Sequence, residues 1–275
     1  MRIAFLVNRD IESLVALNLL LPGLARHELS VFVSDRVGNP QSAKPAAMLG
    51  QLAFVEQDLW NRVVFPHLDA APGEARLLSF EGIRRRMQIP VRPLGSARTP
   101  EALGALAATG AELFVSIRFG KILGAEAIGI PRLGVLNLHS GILPDYRGVL
   151  ATFRALMNGD SKIGCTLHRI DSPGIDTGPV IEISTAEARP DRSLFWHVLA
   201  LYPLGAAMIQ RAVDLLAAGK DVPGTPQPAG RGAYFSFPTD EDLVRFTAAG
   251  WRLFDRSDLD ELLGAFGVPD APQDA

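Results

Sequence analysis

The sequence predicts an α/β protein built on an open, mostly parallel sheet with helices on both faces. Two observations carry that prediction. Short apolar runs alternate with stretches of helical patterning, the signature of strand–helix–strand units. The first of these runs, Ile3 to Val7, is apolar without interruption, as a parallel strand covered on both faces must be.

The elements follow in order. Arg2 to Val7 is a strand, Ile11 to Ala25 an apolar-rich helix, and Leu29 to Ser34 a second strand, which together make a β-α-β start. Between Val37 and Pro72, Asn39-Pro40, Pro45, Pro66 and Pro72-Gly73 punctuate a helix expected over Met48 to Trp60, and about 37–72 is expected to be an insertion. A helix from Ser79 to Met87 leads to a short strand, Val91 to Leu94. Thr99-Pro100-Glu101 then has an N-cap followed by proline in the first helical position, and that helix ends at Gly110. Leu113 to Ile117 and Gly134 to His139 are buried-strand patterns, and a helix from Ala151 to Met157 precedes strands at Lys162 to Asp171 and Val180 to Thr185. Ser193 to Ala218 is helical, with Pro203 as a point where it could bend or restart. Val222 to Gly232 is a Pro/Gly-rich connector. Thr239 and Ser257 are expected to cap two short helices, giving a small, mainly helical C-terminal appendage, and Pro269 to Ala275 are expected to fray.

The composition narrows the function classes. The chain has 275 residues, enough for a substantial core, and its net charge of −3 supplies no global basic field for a nucleic-acid backbone. The run Arg84-Arg85-Arg86 is expected to be a solvated helix face. The single cysteine, Cys165, excludes an internal disulfide and a multi-cysteine metal site, and suits a reducing, cytoplasmic setting. The N-terminus turns polar at Asn8-Arg9-Asp10 too soon for a signal peptide. The stretch Leu14 to Leu24 is broken by Asn18 and Pro22-Gly23, so no membrane span is expected. No G-x-G-x-x-G follows the first strand, and the histidines show no i, i+4 pairing, which sets aside a nicotinamide dehydrogenase and a zinc hydrolase.

Asn137 and His139 lie two apart on a strand and project from one face at its carboxyl end, where parallel sheets place ligands. Gly174-Ile-Asp-Thr-Gly178 then puts one carboxylate, Asp176, in a glycine-flanked loop able to fold back over the neighbouring strand end. Each residue alone is an ordinary strand-end or turn residue. Their combination is specific.

The segments Asn137-Leu-His-Ser-Gly-Ile-Leu-Pro-Asp-Tyr-Arg-Gly148, Met157-Asn-Gly-Asp160 and Gly164-Cys-Thr-Leu-His-Arg-Ile-Asp-Ser-Pro-Gly-Ile-Asp-Thr-Gly-Pro179 resemble the folate-dependent formyltransferases that act on glycinamide ribonucleotide, methionyl-tRNA and amino sugars. The resemblance implies a Rossmann-like catalytic domain over residues 1–220, with residues 221–275 as connector and appendage. It implies transfer of a formyl group from 10-formyltetrahydrofolate to an amine, with Asn137, His139 and Asp176 catalytic and no metal. Folate-binding positions would be Phe119, Lys121, Ile122 and Leu123 with Ile170, Asp171 and Ser172, and acceptor-side positions Asn8, Arg9, Ser140, Tyr146 and Arg147. In that chemistry Asn137 and His139 stabilise charge on the formyl oxygen, while Asp176 takes the amine proton or holds His139 in the useful tautomer.

Two departures bear on the acceptor. Asn8-Arg9-Asp10 stands where glycinamide ribonucleotide enzymes have a glycine-rich phosphate loop, and His139-Ser140-Gly141-Ile142 differs in its middle positions. The methionyl-tRNA members carry a C-terminal β-barrel, whereas Val222 to Ala275 is short and acidic. The expected acceptor is therefore a small amine, such as an amino sugar or a modified amino acid, with nucleic acid and membrane excluded as partners and a homo-oligomer left open. A formyltetrahydrofolate hydrolase and a silent folate-binding protein are the alternatives.

Overall fold

A computed structural model describes residues 1–34, 47–70 and 76–268. The expected punctuation at Asn39-Pro40, Pro45 and Pro72-Gly73, and the expected fraying of Pro269 to Ala275, lie outside the described residues. Seven strands form one sheet in the order β3 (Val91–Pro93), β2 (Glu28–Ser34), β1 (Arg2–Asn8), β4 (Leu113–Ile117), β5 (Val135–His139), β7 (Lys162–Ile170), β8 (Val180–Glu187). The first five are mutually parallel; β7 runs antiparallel to β5, and β8 antiparallel to β7. The order reverses between β1 and β4, so the switch-point crevice opens at their carboxyl ends.

Both faces are covered. Ile3, Phe5 and Val7 of β1 point into the larger core, and Ala4 and Leu6 into a second one on the opposite face, which explains the unbroken apolar run. The second face is closed by α5 (Pro100–Ala107) and α6 (Ala125–Ile128), which supply Leu106 and Ala127 to that core. Thr99 caps α5 with its side chain and Pro100 occupies the first turn, as the sequence indicates.

On the larger face α1 (Ile11–Leu20) packs against α8 (Leu194–Ala217). The first helix stops at Leu20, earlier than expected, and Pro22–Leu24 forms a separate 3-10 turn because proline cannot donate to the helix ladder. By contrast α8 runs through Pro203 as one helix of 24 residues. It is long and apolar enough to cross a membrane by composition, but Leu194, Val198, Leu201, Met208, Ile209 and Val213 are core residues here.

The insertion is helical where it is described: α2 (Ala47–Ala53), an 11-residue π-helix (Phe54–Val64) and α3 (Phe65–Ala70) run on from one another. The helix α4 (Phe80–Arg86) is capped by Ser79, and Arg84 and Arg85 pair with Glu81 on its solvent side.

Two three-residue strands, β6 (Tyr146–Gly148) and β9 (Ala233–Phe235), pair in parallel as a second sheet. Sequence patterning cannot register elements this short. The remaining helices are α7 (Ala151–Met157), α9 (Asp240–Ala248) and α10 (Arg256–Ala265). Thr239 caps α9 as expected, but α10 is capped by Asp255, whose carboxylate accepts from Ser257; Ser257 lies inside the first turn. The C-terminal residues share the larger core: Phe246 stacks on Phe153 with centroids 4.3 Å apart, Phe266 meets Trp60 at 5.3 Å, and Arg154 pairs with Asp242 at 2.8 Å. Tyr234 is exposed, while Phe235 and Phe237 pack against the core.

Candidate active site

The strand β5 delivers Asn137 and His139 to the carboxyl edge, and its antiparallel neighbour β7 pairs Asn137 with His168 and His139 with Thr166. His168 is thus brought against Asn137. Its Nδ1 donates to the Arg169 carbonyl at 2.8 Å, which leaves Nε2 to accept from the Asn137 amide at 3.0 Å. An amide nitrogen has two hydrogens, so Asn137 keeps one donor for the crevice. His168 was not identified as a site residue from sequence. The antiparallel register that places it opposite Asn137 is not readable locally.

Asp176 closes the group from the loop between β7 and β8. Its Oδ2 lies 3.5 Å from His139 Nδ1 and accepts from the Gly148 backbone N–H at 2.8 Å, while Oδ1 lies 3.5 Å from His168 Nε2. Burial raises the pKa of this carboxyl, but the neighbouring imidazoles of His139 and His168 and the hydrogen bond from the Gly148 N–H outweigh it and hold the group at about 2. The residue sits in a left-handed conformation, φ +52°, uncommon for a non-glycine residue although aspartate tolerates it better than most. Gln227 donates to the Asp176 and Gly178 carbonyls, both at 2.8 Å. The connector therefore supports the loop, and Val180 and Thr225 exchange backbone hydrogen bonds beside it.

His139 faces acceptors with both ring nitrogens, Asp176 on one side and the Tyr146 carbonyl, 2.6 Å from Nε2, on the other. Gly141 makes room for this ring, because a Cβ there would lie 2.7 Å from Nε2 and 2.5 Å from Ala151 Cβ. Gly148, at φ +97°, turns its N–H toward Asp176 where a side chain would strike the Phe235 carbonyl.

The expected folate positions divide by exposure. Leu123 is buried, Phe119, Lys121 and Ile170 are half-buried, and Ile122, Asp171 and Ser172 are exposed. Ile122 and Ile175 are large apolar side chains left open to solvent on the loops after β4 and after β7, apolar surface of the kind that covers a flat aromatic ring. The Gly120 N–H is held at 3.4 Å by Ser34 Oγ, which also donates to Asn8 Oδ1, so the loop is fixed from below.

The expected acceptor positions behave differently from one another. Asn8 is fully buried and its amide donates to Asp10, so it serves as support beneath the crevice. Arg9 lies over the Phe80 ring. The Tyr146 hydroxyl turns away, donating to Asp160 at 2.5 Å and accepting from Asn158 at 3.0 Å; burial and that hydrogen bond push it up to about 12. Ser140 and Arg147 are half-buried beside the triad, and Arg147 Nε has no hydrogen-bond partner among the described residues.

With this geometry in place, comparisons with known proteins agree with the motifs. The Formyl transferase family model matches residues 41–194. A methionyl-tRNA formyltransferase of Methylobacterium sp. (strain 4-46) is 36% identical over 192 residues, covering 69% of this chain and 61% of that protein. One from Stutzerimonas stutzeri is 39% identical over 137 residues, 49% of this chain and 43% of that protein. The chain thus spans under two thirds of the length of these relatives. Among solved structures, a sugar N-formyltransferase from Shewanella sp FDAARGOS_354 superposes with TM-score 0.55 at 14% identity, covering 90% of this chain and 87% of that one. Glycinamide ribonucleotide transformylase 1 from Symbiobacterium toebii gives 0.54 at 18%, covering 80% and 88%. At such identities these two likenesses speak for the fold.

Proposed function

Because the chain belongs to the formyltransferase family, we propose that it transfers a formyl group from 10-formyltetrahydrofolate to the amine of a small molecule, using Asn137, His139 and Asp176. The observation that carries this reading is the convergence of the three side chains, with His168, at the carboxyl edge of the sheet. The donor supplies an activated formyl carbon; the protein's part is to orient it and to manage charge and protons.

The free hydrogen of the Asn137 amide points a donor toward charge that builds on the formyl oxygen as the amine attacks. His139 reaches the same region by exchanging its contact with the Tyr146 carbonyl. A carboxylate held at about 2 is a poor proton acceptor near neutrality, so Asp176 serves best as the fixed negative charge that stabilises protonated His139. Protonated His139 can give its Nε2 proton to the formyl oxygen as the amine attacks and, once neutral, take in its place the proton that the amine nitrogen sheds. Ile122 and Ile175 would cover the pterin ring, with Leu123 beneath it.

The small-amine reading draws on the tail. It folds into the larger core as helices, and the acidic residues it leaves exposed, Asp240 and Glu241 in α9 and Asp260 and Glu261 in α10, disfavour a phosphate backbone. The relatives named for methionyl-tRNA make that acceptor the natural competitor. A cytoplasmic setting suits the buried Cys165 thiol, which burial pushes up to about 12. The test is tetrahydrofolate release from 10-formyltetrahydrofolate with a panel of amines, with methionyl-tRNA and with neither. Amine-stimulated release is expected. Equal release without any acceptor identifies a hydrolase, and efficient formylation of methionyl-tRNA with salt-sensitive binding overturns the small-acceptor reading.

A further inference from the structure

The switch-point crevice holds a second group of ionisable residues. Arg118 directly follows β4, whose Ile117 pairs with Leu138, so it stands level with His139 one strand away, about 5 Å between backbones. Like Asp176 it is held at positive φ, +55°. Its guanidinium faces three carboxyls: Nε meets Asp10 Oδ2 at 3.0 Å, and Nη2 meets Glu12 Oε2 at 2.7 Å and Glu56 Oε2 at 3.3 Å. Burial raises both Glu12 and Glu56, and even with one of them protonated the two remaining carboxylates against one guanidinium leave the group with excess negative charge.

The group is not closed on itself. Apart from its ion pair with Arg118, the buried Glu12 carboxyl has no hydrogen-bond partner among the described residues. The Tyr202 hydroxyl, brought in from α8 on a side chain 3% exposed, has no hydrogen-bond partner among the described residues either, and it interacts electrostatically with Arg118, Glu12, Asp10 and Glu56. Unpaired buried polar atoms of this kind cost free energy unless something completes them. Glu56 and Arg118 alone reach the surface, with side chains 13% and 18% exposed. The guanidinium is already matched by carboxyls, so it has little to offer a phosphate.

Resting on the formyl-transfer reading, we propose that this cluster recognises the remote end of the acceptor, and that this end carries a positively charged nitrogen in place of a phosphate. An acceptor of this class presents one amine to His139 and sets a second, cationic nitrogen against Glu56, one strand away, where the Glu12 and Tyr202 oxygens are available as acceptors. The glycine-rich phosphate loop of the ribonucleotide enzymes is replaced at this place by Asn8-Arg9-Asp10, with Asp10 committed to Arg118 and to capping α1.

The experiment is calorimetric titration of the full chain with 1,4-diaminobutane, 1-aminobutane and an amino-sugar nucleotide, alongside formyl transfer to each. Diaminobutane should bind at least about tenfold more tightly than aminobutane. Glu56→Gln should remove most of that difference. Tyr202→Phe should weaken diamine binding while leaving the unfolding midpoint unchanged or higher, since it deletes an unpaired buried hydroxyl; a folded variant is thereby secured even if Glu56→Gln is unstable. Equal binding of the two alkylamines, or tighter binding of the nucleotide, overturns the proposal. Diamine binding that obeys these expectations with no formyl transfer to any amine leaves the cation site standing and removes the function proposed above.

Discussion

Asp176 and Glu12 are both buried carboxyls at the carboxyl edge of one sheet, yet they are tuned in opposite directions. Asp176 lies against two imidazoles and accepts from a backbone N–H, and is held at about 2. Glu12 shares a single guanidinium with Asp10 and Glu56, and burial pushes it well above the ordinary carboxylate range. The difference is one of donor supply. Where donors outnumber carboxyls the charge is kept for chemistry, and where carboxyls outnumber donors a proton is retained.

The largest expected effect tests the donor-rich half. Asp176→Asn preserves shape but removes the charge facing His139 and His168, and should lower turnover by about 10²–10⁴-fold while folate binding is retained. Normal donor binding with full-rate transfer would reduce Asp176 to a structural turn residue. Next, Asn137→Ala and His139→Ala should each lower kcat by about a hundredfold or more with the fold intact, as expected for groups that meet developing charge. Wild-type turnover in either variant, with a native circular dichroism spectrum, would falsify the mechanism.

The two halves should also answer acid differently. Asp176 has a folded pKa below its ordinary value of 3.8, so its contribution is present above about pH 4 and is lost as pH falls toward 2. That loss is about 2 kcal/mol on a shift of nearly two units, the carboxyl being largely buried. Glu12 and Glu56 are raised, so their contribution is fully present below the ordinary carboxylate range and is lost as pH rises through the folded values. Unfolding midpoints measured from pH 3 to 8 should therefore show Asp176→Asn flattening the acid limb and Glu12→Gln flattening the opposite one. Identical pH profiles for the two variants would show that the contrast is not real.

The donor-rich half was legible in the sequence and the carboxyl-rich half was not. Asn137 and His139 announce themselves because period-two spacing puts both on one face at a strand end, and Asp176 because it sits between glycines in a loop. Arg118, Glu12 and Glu56 come from three elements far apart in the chain, and nothing in the spacing of any one element marks them as neighbours. The strands and the cap of α5 followed from local rules. The short strands β6 and β9, the π-helix and the Asp255 cap depend on tertiary contacts, such as the pairing of Arg147 with Tyr234 across two remote segments.

The smallest expected effect concerns how the two ends of the chain meet at Asp176. The connector carrying Gln227 looks like a spacer by composition, yet its amide nitrogen holds the Asp176 and Gly178 carbonyls, while β9 packs behind Gly148, which donates to the same carboxylate. Gln227→Ala removes two hydrogen bonds at a half-exposed site where water can partly replace them, so a loss of about 1–2 kcal/mol in stability is expected. Because Asp176 is also held by Gly148, His139 and His168, kcat should fall only a few-fold. A KM-against-kcat comparison at saturating donor separates two roles for the connector. A fall confined to stability makes it a brace for the fold alone, whereas a fall in kcat that is larger at low pH, where Asp176 is hardest to keep ionised, shows that it sets the position of the carboxylate.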